Sequence, residues 1–435
     1  MPTPSRPNAA GFANAGFERV SVVGLGYVGL PTAAVMANRG LTVIGVDANP
    51  KAVERINRGE AHIVEPDLDI LVRSATTSGN LRAVSTPEPA NAFIVAVPTP
   101  FKDNHEPDLA FVESAARSIA PVLAKGNLVV LESTSPVGTT ERLAGWLAEL
   151  RPDLGFPGHG HGKDEAMDVH IAYSPERVLP GRVLIELVDN DRVIGGLTPG
   201  CGQRAKELYS LFVQGTCFLT TARTAELVKL AENAYRDLNI AFANELSLVC
   251  EKVDVNVWEA IELANRHPRV KILQPGPGVG GHCIAVDPWF IVDSARDVTP
   301  LIQAARGVND GKPHHVAKLV ADAAQNKALG KTKPTVACLG LAYKADIDDF
   351  RESPSVDVIA HIDAELFSKI LVVEPHSDHL PDSLAEIPGI ELTDIDSALD
   401  QADIVVLLTD HAPFRELDRA RLAGKAVIDT RGIWR

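Results

Sequence analysis

The stretch Arg19-Val-Ser-Val-Val-Gly-Leu-Gly-Tyr-Val-Gly29 joins a short apolar run to the glycine pattern Gly-x-Gly-x-x-Gly. The run is rich in β-branched residues and predicts a buried strand, and the residues that follow predict a helix. In such a unit the first glycine makes a tight turn, and the second lets the backbone approach a pyrophosphate. The third lets the helix pack closely on the strand. The stretch therefore predicts the first turn of a dinucleotide-binding fold.

An acidic residue follows at the distance that this fold uses. A second apolar run, Thr42-Val-Ile-Gly-Val46, leads into Asp47, which stands eighteen residues after Gly29. A carboxylate there would accept hydrogen bonds from the adenosine ribose and would repel a 2′-phosphate. We therefore expect NAD rather than NADP to be the cofactor. The residues predicted to bind it are Gly24, Gly26, Tyr27, Val28, Gly29 and Asp47.

Similar apolar runs recur along the chain, and helix-length segments separate them. This alternation is typical of βαβ units around a buried parallel sheet. Between Thr221 and His267 there is no glycine or proline and the apolar spacing is helical, which predicts one long helix or two. The predicted fold class is α/β, with two Rossmann-like doubly wound domains joined by a long central helix. We expect a flexible tail at 1–17, a first domain at 18–211, a helical region at 212–325 and a second domain at 326–435. Beyond the two strands already quoted, the predicted strands are Ala92–Val97, Asn127–Leu131, Thr335–Leu339, Lys369–Val373, Asp403–Leu408 and Ala426–Asp429.

Composition limits the functions that the chain can serve. A formal net charge of −15 argues against a nucleic-acid surface, which needs clustered lysine and arginine. No apolar run approaches the ~20 residues that cross a bilayer, and the first residues lack the pattern of a secretory signal. The five cysteines show no close pairing and no His/Cys cluster has zinc spacing, which predicts a reducing compartment and no metal. We expect a cytoplasmic protein that binds neither nucleic acid nor a membrane.

The stretch Gly280-Gly-His-Cys283 carries the clearest chemical signal. A cysteine directly after two glycines and a polar histidine is in an unusual setting for a core residue. Cys283 is therefore interpreted as a thiolate nucleophile. The other cysteines lack such a context and are interpreted as small buried apolar residues; they are Cys201, Cys217, Cys250 and Cys338.

Polar residues at helical spacing and at strand ends are further candidates. Lys229, Asn233 and Arg236 stand at i, i+4 and i+7 and share one helix face, although spacing alone equally allows a solvated stripe. Thr99 and Thr134 lie in turns predicted at the carboxyl ends of strands, where open α/β sheets bind ligands, and we expect them to bind the cofactor. Each of these threonines is also compatible with an ordinary turn.

Several motifs together resemble the UDP-glucose/GDP-mannose dehydrogenase family. The resemblance runs in order through nearly the whole chain after residue 17. The motifs are Gly24-Leu-Gly-Tyr-Val-Gly-Leu-Pro31, Glu132-Ser-Thr-Ser-Pro-Val-Gly138, Ser174-Pro-Glu-Arg177, Lys229-Leu-Ala-Glu-Asn233, Gly280-Gly-His-Cys-Ile-Ala-Val-Asp-Pro288 and Lys344-Ala-Asp-Ile-Asp-Asp-Phe-Arg-Glu-Ser-Pro354.

The resemblance implies oxidation of a sugar hydroxymethyl group to a carboxylate, with two NAD consumed for each sugar. It makes Cys283 the group that forms a thiohemiacetal and then a thioester, while Lys229 and Asn233 stabilise the developing oxyanion. It implies that Glu176 positions the hydrolytic water and that Asp287 supports the arrangement of Lys229 and Cys283.

Other positions receive binding roles from the same resemblance. The second domain is expected to bind the UDP-sugar, and the central region is expected to form a homodimer. Arg351 is assigned to the cofactor. The implied substrate contacts are Arg177, Val178, Lys229, Asn233, Arg236, His267, Arg269, Gly280, Tyr343, Lys344 and Arg431. For His267 a helix C-cap and for Arg269 a surface charge remain open alternatives.

Three details resemble the branch of the family that oxidises UDP-N-acetyl-D-mannosamine: Arg177-Val-Leu-Pro-Gly181, Asn265-Arg-His-Pro-Arg269 and Ala285-Val-Asp-Pro-Trp-Phe290. Pro180 stands where UDP-glucose dehydrogenases carry an acidic residue, which favours a sugar with a bulkier substituent at C2. UDP-N-acetylglucosamine and UDP-glucose remain alternative substrates. β-Hydroxyacid dehydrogenases share the first domain but have no need of Cys283, and a non-enzymatic NAD-responsive protein would leave Cys283 and Lys229 without a task.

Overall fold

A computed structural model describes residues 16–102, 104–159, 167–179, 181–281, 283–327 and 333–434. The chain divides into two compact units, Met1–Ala231 and Glu232–Arg435. Most of the predicted tail lies outside the described residues, but Phe17 is fully buried in the core of the first unit. Among the described helices none is long and apolar enough to cross a membrane.

The first unit alternates strands and helices, as the sequence predicts. Its elements are β1 (Arg19–Val23), α1 (Gly29–Asn38), β2 (Thr42–Val46), α2 (Pro50–Asn57), α3 (Leu68–Thr77), β3 (Leu81–Val84), β4 (Ala92–Val95), α4 (Ala110–Ile119), β5 (Leu128–Leu131), α5 (Thr139–Leu150), β6 (His170–Tyr173), α6 (Val183–Asp189), β7 (Arg192–Gly196), α7 (Pro199–Tyr209) and β8 (Cys217–Thr221).

These strands form one sheet in the order β3-β2-β1-β4-β5-β6-β7-β8. Neighbouring strands are parallel except β6 and β7, which pair antiparallel. Strands β1, β4 and β5 are apolar and buried on both faces because helices cover both sides of a parallel sheet. The carboxyl ends of β1 and β4 therefore open side by side, where a doubly wound fold binds its ligand.

The chain passes into the second unit through α8 (Ala222–Lys252), which is followed by α9 (Val257–Ala264). The predicted glycine- and proline-free region thus forms two helices. The remaining elements are α10 (Asp287–Ser294), α11 (Pro300–Lys327), β9 (Thr335–Leu339), α12 (Pro354–Ala360), β10 (Lys369–Val373), α13 (Asp382–Ala385), β11 (Ile390–Leu392), α14 (Ile395–Gln401), β12 (Ile404–Leu407), α15 (Ala412–Arg415) and β13 (Ala426–Asp429).

The second unit contains a five-stranded parallel sheet in the order β11-β10-β9-β12-β13. The turn after its first strand is stabilised in the same way as the turn after β1. Asp47, which follows β2, accepts a hydrogen bond from the Leu25 backbone N–H at 2.9 Å, and Glu374, which follows β10, accepts one from the Leu341 N–H at 2.7 Å. The expected pair of Rossmann-like domains is confirmed by this repeated strand order and by the repeated acidic residue.

All eight predicted strands are present, and five of them have the predicted bounds. Ala92–Val97 ends two residues early, Asn127–Leu131 begins one residue late, and Asp403–Leu408 is shorter by one residue at each end. Five strands were not predicted. Each contains a polar, charged or glycine residue, and several are partly exposed, so their apolar runs are interrupted: β3, β6, β7, β8 and β11.

The glycines of the first turn give the first testable prediction. A Cβ added at Gly29 would lie 1.8 Å from the carbonyl oxygen of Gly24, whereas one added at Gly26 would meet no atom within 4 Å. Gly29→Ala should therefore lower the free energy of unfolding by about 1–3 kcal/mol, the usual cost of forcing an extra carbon into a packed site. Chemical denaturation measures this cost. Gly26→Ala is the matched control and should leave stability near the wild-type value; equal losses in both variants would contradict the packing argument.

Candidate active site

The first glycine-rich turn has the geometry that a dinucleotide needs. Gly24 adopts φ +90°, and a Cβ there would lie 2.6 Å from the carbonyl oxygen of Ala96, so the turn requires glycine. Tyr27 and Val28 lie in the turn itself, and α1 begins at Gly29, so the positive end of the helix dipole faces the turn. The open space at Gly26 leaves room for a ligand to approach the backbone. These residues fit the diphosphate of a dinucleotide.

Asp47 is positioned by the backbone around it. One carboxylate oxygen accepts from the Leu25 N–H at 2.9 Å and the other from the Asn49 N–H at 2.8 Å. Each oxygen of a carboxylate has two lone pairs, so both can still accept a ribose hydroxyl. The structure thus fixes Asp47 at the end of β2 in an orientation that fits the predicted role.

The two candidate threonines are brought together at the next strand ends. The Thr99 hydroxyl donates to the Thr134 carbonyl oxygen at 2.5 Å, which ties the turn after β4 to the turn after β5. Sequence analysis missed Glu226, whose buried carboxylate accepts from the Gly138 and Thr140 N–H groups at 2.6 and 2.8 Å. Burial raises the pKa of Glu226, and these hydrogen bonds, which lower it, offset the effect only in part. This carboxylate anchors the loop after β5 to the N-terminal part of α8.

Glu176 belongs to a buried charge network that the sequence did not reveal. The Arg192 guanidinium lies between Glu176 and Glu132; its Nη1 is 3.3 Å from Glu132 Oε1, and its Nη2 pairs with Glu176 Oε2. Tyr209 donates its hydroxyl hydrogen to Glu132 at 3.1 Å, and its ring lies under the guanidinium. The other Glu176 oxygen accepts from the Arg177 N–H at 2.8 Å. Glu176 is therefore a rigidly oriented carboxylate.

Burial determines the electrostatics of this network. It raises the pKa of Glu132 to about 7, an effect that the nearby Arg192 opposes and the carboxylate of Glu176 reinforces. Burial also raises the pKa of Tyr209 well above its usual value. For Arg192 burial acts in the opposite direction, but the two carboxylates raise its pKa overall. The guanidinium stays charged, and it holds both carboxylates at the ends of β5 and β6.

Helix α8 carries Lys229, Asn233 and Arg236, as predicted. Lys229 is only 8% exposed and makes no hydrogen bond or ion pair with any residue in the described ranges. An ammonium that has no protein partner in the described ranges can pair with the negative charge of a ligand. Arg236 is exposed.

Cys283 differs from the other four cysteines in its environment. It is exposed, whereas Cys201, Cys217, Cys250 and Cys338 are all buried, as predicted. Burial raises the pKa of the Cys217 thiol and raises that of Cys338 to about 12, so neither forms a thiolate readily.

Asn233 and Asp287 form a pair in the second unit. The Asn233 amide donates to Asp287 Oδ2 at 2.6 Å, and the Asp287 N–H donates to the Cys283 carbonyl oxygen at 2.8 Å. Asp287 is 2% exposed and opens α10. It therefore connects the turn of Cys283 to α8 through Asn233.

The Cys283 loop packs against the loop that follows β9. A Cβ at Gly280 would lie 2.2 Å from the Glu352 carbonyl oxygen, and Gly281, at φ +83°, lies against the Tyr343 ring. The Gly281 N–H also donates to the Arg351 carbonyl oxygen at 3.3 Å. The two glycines thus bring Cys283 beside a loop that carries several predicted binding residues.

The predicted basic residues of the second unit lie on that loop or after β13. Lys344 is exposed, and the Arg351 guanidinium donates to both oxygens of Asp349. Arg431 follows β13, donates to Asp410 at 3.0 Å and lies against Gly276. These cations sit at the carboxyl ends of parallel strands, where an anionic ligand binds in this kind of sheet.

Asp346 anchors the same loop. Its N–H donates to the buried His411 Nδ1 at 2.9 Å, and its carboxylate accepts from the Ala412 N–H and from Arg415, both at 2.7 Å. Asp346, His411 and His376 place possible metal-ligand atoms within 4.8 Å of one another. The His411 and Asp346 atoms already accept these hydrogen bonds, so the cluster serves to hold the loop.

The remaining predicted contacts lie outside this loop. His267 and Arg269 are exposed beyond the end of α9, where Asn265 exchanges two hydrogen bonds with the backbone of Ile272. Arg177 and Val178 are partly buried between β6 and α6. Pro180 and His282 lie outside the described residues.

Comparison with known proteins agrees with this geometry. Three segments match the UDP-glucose/GDP-mannose dehydrogenase family: residues 18–213 its NAD binding domain, 223–311 its central domain and 337–435 its UDP binding domain. The chain belongs to that family. It is therefore a nucleotide-sugar dehydrogenase with an NAD-binding Rossmann domain.

Relatives within the UDP-glucose/GDP-mannose dehydrogenase family cover nearly the whole chain. An NDP-N-acetyl-D-galactosaminuronic acid dehydrogenase of Ralstonia nicotianae is 59% identical over 96% of each chain. A UDP-N-acetyl-D-mannosamine dehydrogenase of Yersinia pestis is 58% identical over 96% of this chain and 100% of its own. The solved structure of a UDP-D-ManNAc dehydrogenase from Pyrococcus horikoshii is similar with a TM-score of 0.85, at 38% identity over 95% of this chain and 96% of its own.

The buried network gives a second prediction. Arg192→Leu would leave Glu132 and Glu176 buried without their cation, so the free energy of unfolding should fall by about 3–5 kcal/mol. Denaturant titration at neutral pH measures this loss. Arg223→Leu breaks the exposed pair with Glu141 and should cost about 0–1 kcal/mol. Similar losses in the two variants would show that the network contributes no more than a surface pair.

Proposed function

We propose that the chain oxidises the 6-hydroxymethyl group of UDP-N-acetyl-D-mannosamine to a carboxylate and consumes two NAD for each sugar. The product would supply an acidic sugar for a bacterial surface polysaccharide. The observation that carries the proposal is Cys283, the one exposed cysteine among the five, held by Asp287 and two glycines beside the loop of Tyr343 and Lys344. A single oxidation to an aldehyde would have no use for such a thiol.

The proposed mechanism assigns separate tasks to the described groups. Gly24–Gly29 and Asp47 would hold NAD, which would supply the hydride acceptor. In the first oxidation the substrate carbon loses a hydride and its hydroxyl loses a proton, which leaves an aldehyde. The Cys283 thiolate adds to the carbonyl carbon of the aldehyde, and the oxygen takes a proton to give a thiohemiacetal. Removal of hydride and of that proton converts the thiohemiacetal into a thioester. Water then attacks the thioester carbon, the C–S bond breaks, and the thiolate is regenerated with release of the acid.

Two kinds of group stabilise the charge that develops on oxygen. The buried ammonium of Lys229 has no protein partner among the described residues, so it can place its full charge toward the alkoxide. The Asn233 amide has two N–H groups, and one is held by Asp287, which fixes the direction of the other. Glu176, fixed by Arg192, is proposed to accept a hydrogen bond from the hydrolytic water.

We assign the remaining roles by region. Residues 18–211 would bind NAD, 212–325 would carry the cysteine loop and form the dimer, and 326–435 would bind the UDP-sugar. Tyr343, Lys344 and Arg431 would meet the substrate, and Arg351 the cofactor. Arg177, Val178, Arg236, His267, Arg269 and Gly280 complete the proposed substrate contacts.

A panel of UDP-sugars tests the function. The enzyme should turn over UDP-N-acetyl-D-mannosamine with two NADH formed for each sugar and no free aldehyde released. UDP-N-acetylgalactosamine belongs in the panel because of the Ralstonia relative, together with UDP-N-acetylglucosamine and UDP-glucose. NADH absorbance and product mass measure the outcome. One NADH for each sugar would reject the four-electron reaction, and preference for another sugar would reject the substrate assignment alone.

Replacing the thiol separates the chemical steps. Cys283→Ser should lower turnover by orders of magnitude while NAD and UDP-sugar still bind, because a hydroxyl is a far poorer nucleophile at neutral pH. Cys217→Ser is the matched control; its thiol is buried and should be dispensable for chemistry. Near-normal acid production by Cys283→Ser would show that the cysteine is structural.

An exposed apolar stripe supports the proposed homodimer. Tyr235, Phe242 and Val249 are spaced seven residues apart on α8, about two helical turns each, and are 72%, 55% and 49% exposed. Large apolar side chains aligned on a helix are typical of a surface that another chain covers. A symmetric pair of such helices would bury the stripe on both copies.

A further prediction concerns this stripe. Light scattering should show a dimer at micromolar concentration, and the double variant Tyr235→Glu/Phe242→Glu should be monomeric but folded, because both side chains are exposed within one chain. Phe111→Glu, at a 48% exposed position on α4, is the control and should remain dimeric. A monomeric wild-type protein would contradict the proposal.

A further inference from the structure

A cavity of about 320 Å³ lies in the second unit, among α8, α9, α11 and the end of β13. It is bounded on one side by Pro275 and Gly276 and on another by Asp429 and Thr430. Its volume is at the lower end of the roughly 300–1,000 Å³ that small-molecule sites occupy. None of the groups assigned to catalysis lines it.

The cavity is lined by a buried cation. Lys312 of α11 is 8% exposed, and within the described ranges its ammonium forms no hydrogen bond or ion pair. The Lys312 nitrogen is not among the fully buried unpaired atoms, so the ammonium faces the cavity. A charged group in that position is available to pair with an anionic ligand.

The other polar lining side chains are already engaged. Asp429 accepts from the N–H groups of Arg431, Gly432 and Trp434 at 2.6–2.9 Å. Glu251 contacts His315 Nε2 at 2.8 Å. These contacts leave Lys312 as the charged lining group with no bond in the described part of the chain.

The smaller polar groups are engaged in the same way. Thr430 donates to the Leu407 carbonyl oxygen at 2.7 Å, and Ser247 donates to that of Asn244 at 2.6 Å. Asn256 Oδ1 caps α9 by accepting from Trp258 and Glu259 N–H groups at 3.0 and 3.1 Å.

We propose that this cavity is a second ligand site, which takes a small organic anion whose carboxylate, phosphate or sulfonate pairs with Lys312. The rest of the ligand is apolar or aromatic, because the remaining walls are apolar. These walls are Val255, Val257, Trp258, Val316, Leu319 and Ile428.

The position of the cavity links it to the predicted substrate residues without including them. Gly276 contacts Arg431, and Thr430 directly precedes it. A ligand in the cavity would therefore press on both segments that hold Arg431. The site is suited to an effector that changes nucleotide-sugar affinity.

The acid–base behaviour of Lys312 agrees with this assignment. Burial lowers its pKa to about 8, and the negative charge of Glu251 opposes the shift only in part. A bound anion in contact with the ammonium would add to the effect of Glu251 and would favour the protonated lysine.

Two matched probes test the proposal on the intact protein: 8-anilinonaphthalene-1-sulfonate and N-phenyl-1-naphthylamine, which is the same molecule without the sulfonate. Fluorescence titration should show one sulfonate probe bound per chain, at least tenfold more tightly than the neutral probe. Lys312→Met should lower the affinity for the sulfonate at least tenfold and leave the neutral probe unaffected. Lys318→Met, at an exposed lysine on the same helix, is the matched control and should change neither.

Two further measurements test whether the probes bind in this cavity and whether the cavity is separate from the nucleotide-sugar site. Leu319→Trp should fill the cavity and reduce binding of both probes, and saturating UDP should leave the sulfonate probe bound. Equal binding of the sulfonate by wild type and Lys312→Met would overturn the proposal. Competitive displacement by UDP would overturn it as well, since the cavity would then be part of the nucleotide-sugar site. The titration needs no turnover, so it does not depend on the proposed reaction.

Discussion

The arrangement around Cys283 depends on the absence of side chains at Gly280 and Gly281. A Cβ at Gly280 would overlap the Glu352 backbone, and Gly281 adopts a positive φ against the Tyr343 ring. This contact allows the cysteine loop, which has no strand or helix of its own, to lie against the loop after β9. Asp287 then fixes the other end of the cysteine turn through its backbone N–H and through Asn233. The nucleophile is therefore positioned by backbone packing as much as by side-chain bonds.

Buried cations divide into two kinds in this protein. Arg192 and Arg306 are almost fully buried. Arg192 pairs with two buried carboxylates, and Arg306 pairs with the buried Asp237 and the exposed Asp310. Such pairs fix geometry, because breaking them leaves an uncompensated charge. Lys229 and Lys312 are equally buried but have no partner in the described ranges. The paired arginines hold the scaffold, whereas the unpaired lysines mark the places where an anionic ligand or a developing negative charge is expected.

In both units an acidic side chain stabilises the turn after the first strand, but the surroundings of that side chain differ. In each, a glycine at positive φ ends the first strand, and an acidic residue after the second strand accepts the next backbone N–H groups. Asp47 is left accessible at this point, but Glu374 is buried and faces His411 Nε2 at 3.2 Å. The second turn is thereby filled by protein groups, and its loop is held in place to present Lys344 and Arg351.

The sequence by itself determined the fold class, the first dinucleotide turn, the central helices and the distinction between Cys283 and the four buried cysteines. These features depend on local patterns: β-branched runs, glycine spacing and helical periodicity act over a few residues and need no distant partner. It did not reveal the roles of Arg192, at the start of β7, or of the Glu226 carboxylate. These roles depend on hydrogen bonds to residues that are 16 to 88 positions away in the sequence. The cavity at Lys312 was hidden for the same reason. The local sequence around a helical lysine does not show that the residue is buried, because the burial comes from packing against α8, α9 and the end of β13. Only the tertiary structure therefore decided which charges are paired and which are not.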